Sequence, residues 1–353
     1  MATITKNPWG TYSVRGIIAG VKTRRTFKDR ASAIRFRDLM DLNPELLKSK
    51  FLVSDLFKSY CSEVSQQKKG YHFEKVRLEA FSKRKFAKKK VNELKRSDLQ
   101  DFVDTRLKEK TETTGKPISP GTVRREIKIL SAVFTWAKKR GLIAENPCKG
   151  LDLPKEPEHR ERVASTEDIQ KLLVASGWDA ETPPTNDVQT IIAAFLFSCK
   201  TGMRSGEILA LEEAWIENDR VIHLPAAVTK TASKRSVALG SEAQRILQLV
   251  REANGENLFR MSAEIRDALF RKVRDRAGLG PVCDSKGNVI KEGLHFHDAR
   301  ATFATWAASP DPKTGAPRLD VMALARQTGH KDLKMLMRYY RKSADELASR
   351  LDE

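Results

Sequence analysis

Leu294-His295-Phe296-His297-Asp298-Ala299-Arg300 places His297 and Arg300 three residues apart, on one face of a helix start. Thr328-Gly329-His330 follows, and nine residues beyond His330 stands Tyr339, within Met337-Arg338-Tyr339-Tyr340-Arg341. Upstream, Thr201-Gly202-Met203-Arg204-Ser205-Gly206-Glu207-Ile208-Leu209 offers a second arginine at a helix start, with Glu207 one turn on to hold its guanidinium from the side. Alone, Arg204 and Glu207 would read as an ordinary surface pair. Together the segments suit a phosphodiester, whose charge repels a nucleophile and whose pentavalent transition state gathers more. Paired guanidiniums, planar, always charged and bidentate toward phosphate oxygens, answer that charge without a metal. Arg204 and Arg300 are the candidates for such a clamp. Histidine titrates near neutrality and suits a site that accepts and returns a proton. His295 stands in the wrong register and reads as structural.

In residue type, order and spacing these segments resemble the active-site set of the tyrosine recombinases, the phage integrase family. The resemblance covers residues 164–353 most fully. It implies that Arg204 and Arg300 bind the scissile phosphate, that His297 handles a proton, that His330 hydrogen-bonds a non-bridging oxygen and that Tyr339 attacks phosphorus. The nine-residue separation selects Tyr339; Tyr340 would point about 100° away around a helix and reads as packing. The family carries its general acid, a lysine, on a hairpin. Lys230 in Val228-Thr229-Lys230-Thr231 takes that place between the strand-like runs Val221–Leu224 and Arg235–Leu239, with Lys234 and Arg235 as competitors. The family often has a second histidine directly after the second arginine; here it is Ala301. The implied reaction forms a 3′-phosphotyrosyl link, frees a 5′-OH and rejoins a partner strand, with no ATP, metal or other cofactor. In the family it runs on a tetramer assembled on double-stranded DNA, with DNA-bending and directionality proteins as partners in some systems. By the same analogy the tail from Ser343 to Leu351 reads as a short helix that packs on a neighbouring subunit.

Charge divides the chain. Of the 65 Lys+Arg and 46 Asp+Glu, residues 1–150 hold 35 and 16, and residues 151–353 hold 30 of each. The whole net charge of +19 therefore sits in the N-terminal part, as a polyanion grip joined to a neutral module. Residues 1–45 read as an arm-type DNA-binding unit. Its two strands, Thr11–Ile18 and Val21–Phe27, flank an Ala19-Gly20 turn and precede a helix capped by Asp29 with Ala33, Phe36 and Met40 on one face. Lys22, Arg24 and Arg25 on the second strand are its candidate DNA contacts, since a β-ribbon can enter the major groove. After Asn43-Pro44, residues 51–146 read as helical throughout, resembling the family's core-binding domain. Lys83-Arg84-Lys85, Lys88-Lys89-Lys90, Arg124 and Arg125 are the candidate phosphate contacts there. Pro147, Pro154 and Pro157 among charges make 147–163 an interdomain linker without a packed element. Ser165-Thr166-Glu167-Asp168 is a capping-box start for the last domain, 164–353. The expected fold is α+β and multidomain: a β-ribbon with a helix, an all-α core-binding domain, and a mainly α catalytic domain with a small β-hairpin or sheet.

Cys61, Cys148, Cys199 and Cys283 are scattered without metal spacing and read as free thiols in a reducing compartment. The longest apolar run, Ile191–Phe197, falls far short of the roughly 20 residues of a membrane span, and no signal-peptide core precedes it. A cytoplasmic protein working on DNA is the expectation. An integrase of a phage or mobile element is the leading reading. An invertase or resolvase of the same family, a type IB topoisomerase, and a catalytically inert DNA-binding protein are the alternatives. The complete catalytic set opposes the last, and the separate N-terminal modules oppose the topoisomerase.

Overall fold

Three short antiparallel strands begin the chain in the computed structural model, which describes residues 3–18, 21–41, 52–112, 115–156, 160, 162–229, 232–285 and 289–340. The Ala19-Gly20 turn, Lys230 and the tail from residue 341 lie outside the described residues, and of Lys22 only the backbone is described. The chain divides into two compact units, Met1–His159 and Arg160–Glu353.

Strands β1 (Thr3–Lys6), β2 (Tyr12–Ile18) and β3 (Val21–Phe27) form a sheet in that order, with Val14 paired to Ile4 and Arg25. Helix α1 (Arg30–Asp41) follows, and Asp29 caps it by accepting from Ser32 N at 2.8 Å. Val14 and Ala33 are fully buried between sheet and helix, with Phe27 and Phe36 in ring contact beside them. Strand β1 escaped the sequence reading because Thr3–Lys6 has no apolar alternation to announce it. A strand also cannot send Arg24 and Arg25 the same way. Arg25 turns toward the helix, stacks over Phe36 at 5.4 Å and donates to Lys139 O at 2.9 Å. Arg24 stands exposed opposite Arg15, its cross-strand partner, which the sequence reading did not single out.

Among the described residues, the rest of this unit is built by α2 (Val53–Glu63), α3 (Tyr71–Ser82), α4 (Arg96–Lys108) and α5 (Pro120–Lys139). In α5, Ser119 caps the start by accepting from Thr122 N, and Pro120 occupies the first turn, where its missing N–H costs nothing. Val123, Ile127, Leu130, Phe134 and Ala137 then recur at helical spacing and are buried against Leu56, Phe57, Leu78 and Leu99. Glu126, 2 % exposed in this core, accepts from Arg77 and doubly from Arg106, which satisfies its charge. Asn146 ties off the exit, donating to Ser131 and Thr135 while its carbonyl accepts from Cys148 N. Among the described residues of 147–163 there is neither helix nor strand, yet the stretch is docked. Cys148, Leu151 and Leu153 pack on the helical core, and Arg124 donates to Pro154 O at 2.7 Å.

The second unit is built on α7 (Asp187–Thr201), whose residues Ile191 to Cys199 are all buried. A helix buried all round needs partners all round. They are α6 (Thr166–Ser176), α9 (Ser241–Asn254), α10 (Ala263–Arg276) and α11 (Asp298–Ala308). The capping box that starts α6 is present, with Ser165 and Asp168 exchanging side-chain-to-backbone bonds. The short α8 (Ser205–Leu209) leads to a three-stranded antiparallel sheet of β4 (Ile216–Glu217), β5 (Val221–Leu224) and β6 (Arg235–Ala238). A hairpin of β7 (Val282–Cys283) and β8 (Val289–Lys291) precedes α11; α12 (Val321–Thr328), α13 (Lys334–Met337) and a 3-10 turn, Arg338–Tyr340, close the described chain. The architecture is the expected α+β. No helix among the described residues is long and apolar enough to cross a membrane.

Candidate active site

Two of the helices that end on glycine meet end to end, and the site is built there. Helix α7 stops at Gly202 and α12 at Gly329, both left-handed, with φ of 67° and 69°. Neither tolerates a side chain: a Cβ on Gly202 would lie 2.5 Å from Phe303, and one on Gly329 would lie 2.7 Å from Arg235. The last carbonyls of a helix lack intrahelical donors and carry partial negative charge. Here arginines serve them. Arg300, 4 % exposed in the first turn of α11, donates to Gly202 O and Thr328 O. Arg204 donates to Gly329 O at 3.2 Å.

Arg204 is the N-cap of α8, and Glu207 holds it twice: one carboxylate oxygen accepts from Arg204 N at 2.8 Å, the other from its guanidinium at 3.1 Å. Glu207 is 1 % exposed and has a second cation, Arg235, which also donates to Gln327 O. Gln327 in turn bonds Thr201 O at 3.0 Å and both backbone groups of Ala238. Strand β6 is thus tied to the ends of both helices. Sequence reading raised Arg235 only as a rival to Lys230. Its burial was nevertheless signalled, since Arg235 lies two residues before buried Val237 and opposite buried Leu224, on the inward face.

His330 follows Gly329. Thr328 Oγ1 donates to Leu324 O at 2.6 Å and lies 2.7 Å from His330 Nδ1, so the ring's Nδ1–H points at the hydroxyl and Nε2 is the acceptor. Arg300 lies 3.4 Å from both ring nitrogens. Burial, then the fields of Arg300 and Arg204, push the His330 pKa down to about 4. Burial likewise brings Arg300 down to about 9, with Arg204 and Arg235 adding repulsion and Glu207 and Tyr339 opposing it. His297 is the exposed N-cap of α11, one turn before Arg300. His295 donates its backbone N–H to Asp298, and burial lowers its pKa, with Arg160 contributing.

The two tyrosines separate. Tyr340 donates its hydroxyl to Leu319 O at 2.7 Å, and burial pushes its pKa up to about 12. Tyr339 rests half-buried against the cluster of Phe303, Leu324 and Leu336, and its hydroxyl accepts from Arg338 at 3.1 Å. Among the described residues no group of three His, Cys, Asp or Glu could hold a metal ion.

The basic block of the first unit is mixed in use. Lys83, Lys85 and Lys88 are exposed. Arg84 pairs with Glu109 and stacks over Phe102, Lys89 pairs with Asp98 at 2.7 Å, and Lys90 lies 3.6 Å from Glu93. Arg124 faces Pro154 O and Glu156, while exposed Arg125 bonds back to Gly121 O within its own helix. Charge runs do not reveal which cations are internally engaged.

The frame gathers Arg204, Arg300, His330 and Tyr339 around paired helix ends, the residue set by which this chain resembles the tyrosine-type DNA recombinases. Comparison with known proteins agrees. The model of the phage integrase family matches residues 167–346. A Haemophilus influenzae protein with an inferred integrase/recombinase role is 32% identical over 351 residues, covering 96% of this chain and 87% of its own length. The shufflon-specific DNA recombinase of Escherichia coli is 31% identical over 305 residues, 86% of this chain and 72% of that protein. Among solved structures, the lambda integrase tetramer bound to a Holliday junction shares the fold with a TM-score of 0.60 at 18% identity, over 93% of this chain and 95% of that one. The chain belongs to the phage integrase family and is a tyrosine-type site-specific DNA recombinase.

Proposed function

We propose that the chain cuts and rejoins DNA through a 3′-phosphotyrosyl link on Tyr339, without ATP or divalent metal. The observation that carries this reading is the meeting of Arg204 and Arg300 on the carbonyls of Gly202, Thr328 and Gly329, with His330 beside Arg300. A phosphate set against both guanidiniums meets fixed donors that need no reorganisation as charge builds up. The Tyr339 oxygen bonds to phosphorus as the bond to the 5′ oxygen breaks, and Lys230 protonates that oxygen. His330, neutral beforehand, becomes a donor to a non-bridging oxygen once phosphate charge offsets the arginines that keep it unprotonated. His297 handles a proton at the open side. Reversal by the 5′-OH of a partner strand rejoins DNA with no net loss of phosphodiester energy. The exposed lysines of the helical domain grip the backbone, and the sheet face bearing Arg15 and Arg24 reads a separate arm site. Four copies act together, as in the lambda integrase tetramer.

Integration of a mobile element is the activity that this arrangement supports best. The shufflon-specific relative favours a second reading, rearrangement between sites on one molecule. Both share one chemical test. On a nicked suicide duplex carrying the crossover site, with chelator present, wild type and Tyr340→Phe should form a denaturant-resistant adduct, and Tyr339→Phe should bind without trapping. An adduct lost only with Tyr340→Phe would shift the nucleophile by one residue, and a chelator-sensitive adduct would overturn metal independence.

A further inference from the structure

We propose that Arg338 prepares the nucleophile: it holds the Tyr339 hydroxyl in place and stabilises the phenolate that forms as the proton leaves. The inference rests on Tyr339 being the nucleophile. Arg338 donates to the Tyr339 oxygen at 3.1 Å, and its guanidinium lies over the same ring, 5.0 Å from the centroid. The two contacts fix both the ring and its oxygen. The other guanidiniums of the site are engaged elsewhere: Arg300 on two carbonyls, Arg204 on Glu207 and Gly329 O, Arg235 on Glu207 and Gln327 O. Arg338 is half-buried, with Nε buried and without a partner among the described residues, so this part of the side chain is held against the protein rather than in solvent. Its field also reaches His330, where it adds to the fall in basicity.

A phenol ionises near pH 10 and is a poor nucleophile at neutrality. A guanidinium cannot take its proton, so Arg338 acts by stabilising the anion while the proton passes to solvent. The bond from Tyr339 to phosphorus then forms as the bond from phosphorus to the 5′ oxygen breaks. In the return step the phenolate is the leaving group, and the same contact stabilises it. Arg338 therefore accelerates cleavage and rejoining by one factor and leaves their balance unchanged. Among the described residues, the charged groups acting on Tyr339 are Arg338 in its own turn and Arg300 from α11, with His330 near both. Asp320, at the start of α12, acts instead on Tyr340.

The test uses the full chain on a nicked suicide duplex, in single turnover, with rejoining read from a preformed adduct. Arg338→Met should slow both steps by about tenfold to a hundredfold at neutral pH, the range of a hydrogen bond to a charged group. It should also move the alkaline-rising limb of cleavage to higher pH, leaving DNA affinity and melting temperature near wild type. Arg338→Lys, which keeps the charge, should recover part of the rate. Unchanged rates and pH profile in Arg338→Met would overturn the inference, as would faster cleavage, which would make the contact a restraint. Mapping the adduct separates the two ideas. An adduct on Tyr340 sinks the underlying assignment, whereas one on Tyr339 with normal Arg338→Met kinetics sinks only this inference.

Discussion

Glu207 is the residue whose loss should reveal how the site is held. Its buried carboxylate meets two arginines and one backbone N–H. Glu207→Gln keeps the shape but leaves Arg235, 9 % exposed at its side chain, without an anion, and sets an amide NH2 against donors. Stranding one member of a buried ion pair costs about 3–5 kcal/mol, and weakening the cap adds about 1 kcal/mol. That approaches the stability of many domains, so denaturant unfolding of the second unit should show a large fall. Arg235→Met should cost less, because Arg204 still serves the acid. Combining the two changes removes the stranded charge, so the double variant should be more stable than the sum by about 1.5–3 kcal/mol. Rate should behave differently. With Glu207 gone, Arg204 loses its side anchor, and single-turnover cleavage should fall up to about a hundredfold in both the single and the double variant. Additive stability losses would refute the pairing. Recovery of rate together with stability would show that Glu207 serves only the fold.

Three further outcomes are expected. Arg160 makes a two-bond pair with buried Asp298, 2.8 and 2.7 Å, so Arg160→Ala should cost about 3 kcal/mol, and a fragment starting at 164 should melt below one that retains Arg160. His330 binds its proton near pH 4 when folded and near 6.5 when unfolded, so its contribution to stability is complete above about 6.5 and is lost as pH falls toward 4; His330→Gln should flatten that part of the melting-temperature profile. Arg15→Ala with Arg24→Ala should lower arm-site affinity and reduce the salt slope by about 2, each phosphate contact contributing about 0.9, while Arg25→Ala, which breaks the Phe36 stack, should lower stability with an unchanged slope.

The parts of the site that were legible are those whose residue type and local spacing carry the meaning. Arg204, Arg300, His330 and Tyr339 stand in short motifs, and Gly202 and Gly329 mark helix ends that only a residue free to take positive φ could form. Proximity was not legible. Nothing local says that Gly202 and Thr328 present carbonyls to one guanidinium, because 98 and 28 residues separate them from Arg300. Arg235 was readable only through the alternation that puts it beside Val237, and a basic run disguised it. Arg24 and Arg25 were read together by charge although pleating sends neighbours to opposite faces. Residues 147–163 were read as an interdomain linker without a packed element because proline and charge dominate, and the docking of Cys148, Leu151 and Leu153 has no regular spacing for periodicity to detect.

Gathering Arg204, Arg235 and Arg300 near one carboxylate looks unfavourable, and the fields of neighbouring arginines add to the burial that lowers the basicity of Arg300 and His330. Folding achieves it because the ends of α7 and α12 supply carbonyls that no intrahelical donor can satisfy, and arginine reaches them while keeping N–H groups in reserve. Arg300 uses one N–H from each terminal nitrogen on Gly202 O and Thr328 O, and a guanidinium has five. Lysine, with three donors on a single point charge, could satisfy the carbonyls or the phosphate but not both in fixed geometry. The helix ends thus provide enough negative potential to assemble the cations and too little to neutralise them. In the mechanism proposed above the scissile phosphate completes that balance, so the repulsion among the arginines becomes affinity for it and, as charge builds during attack, for the transition state.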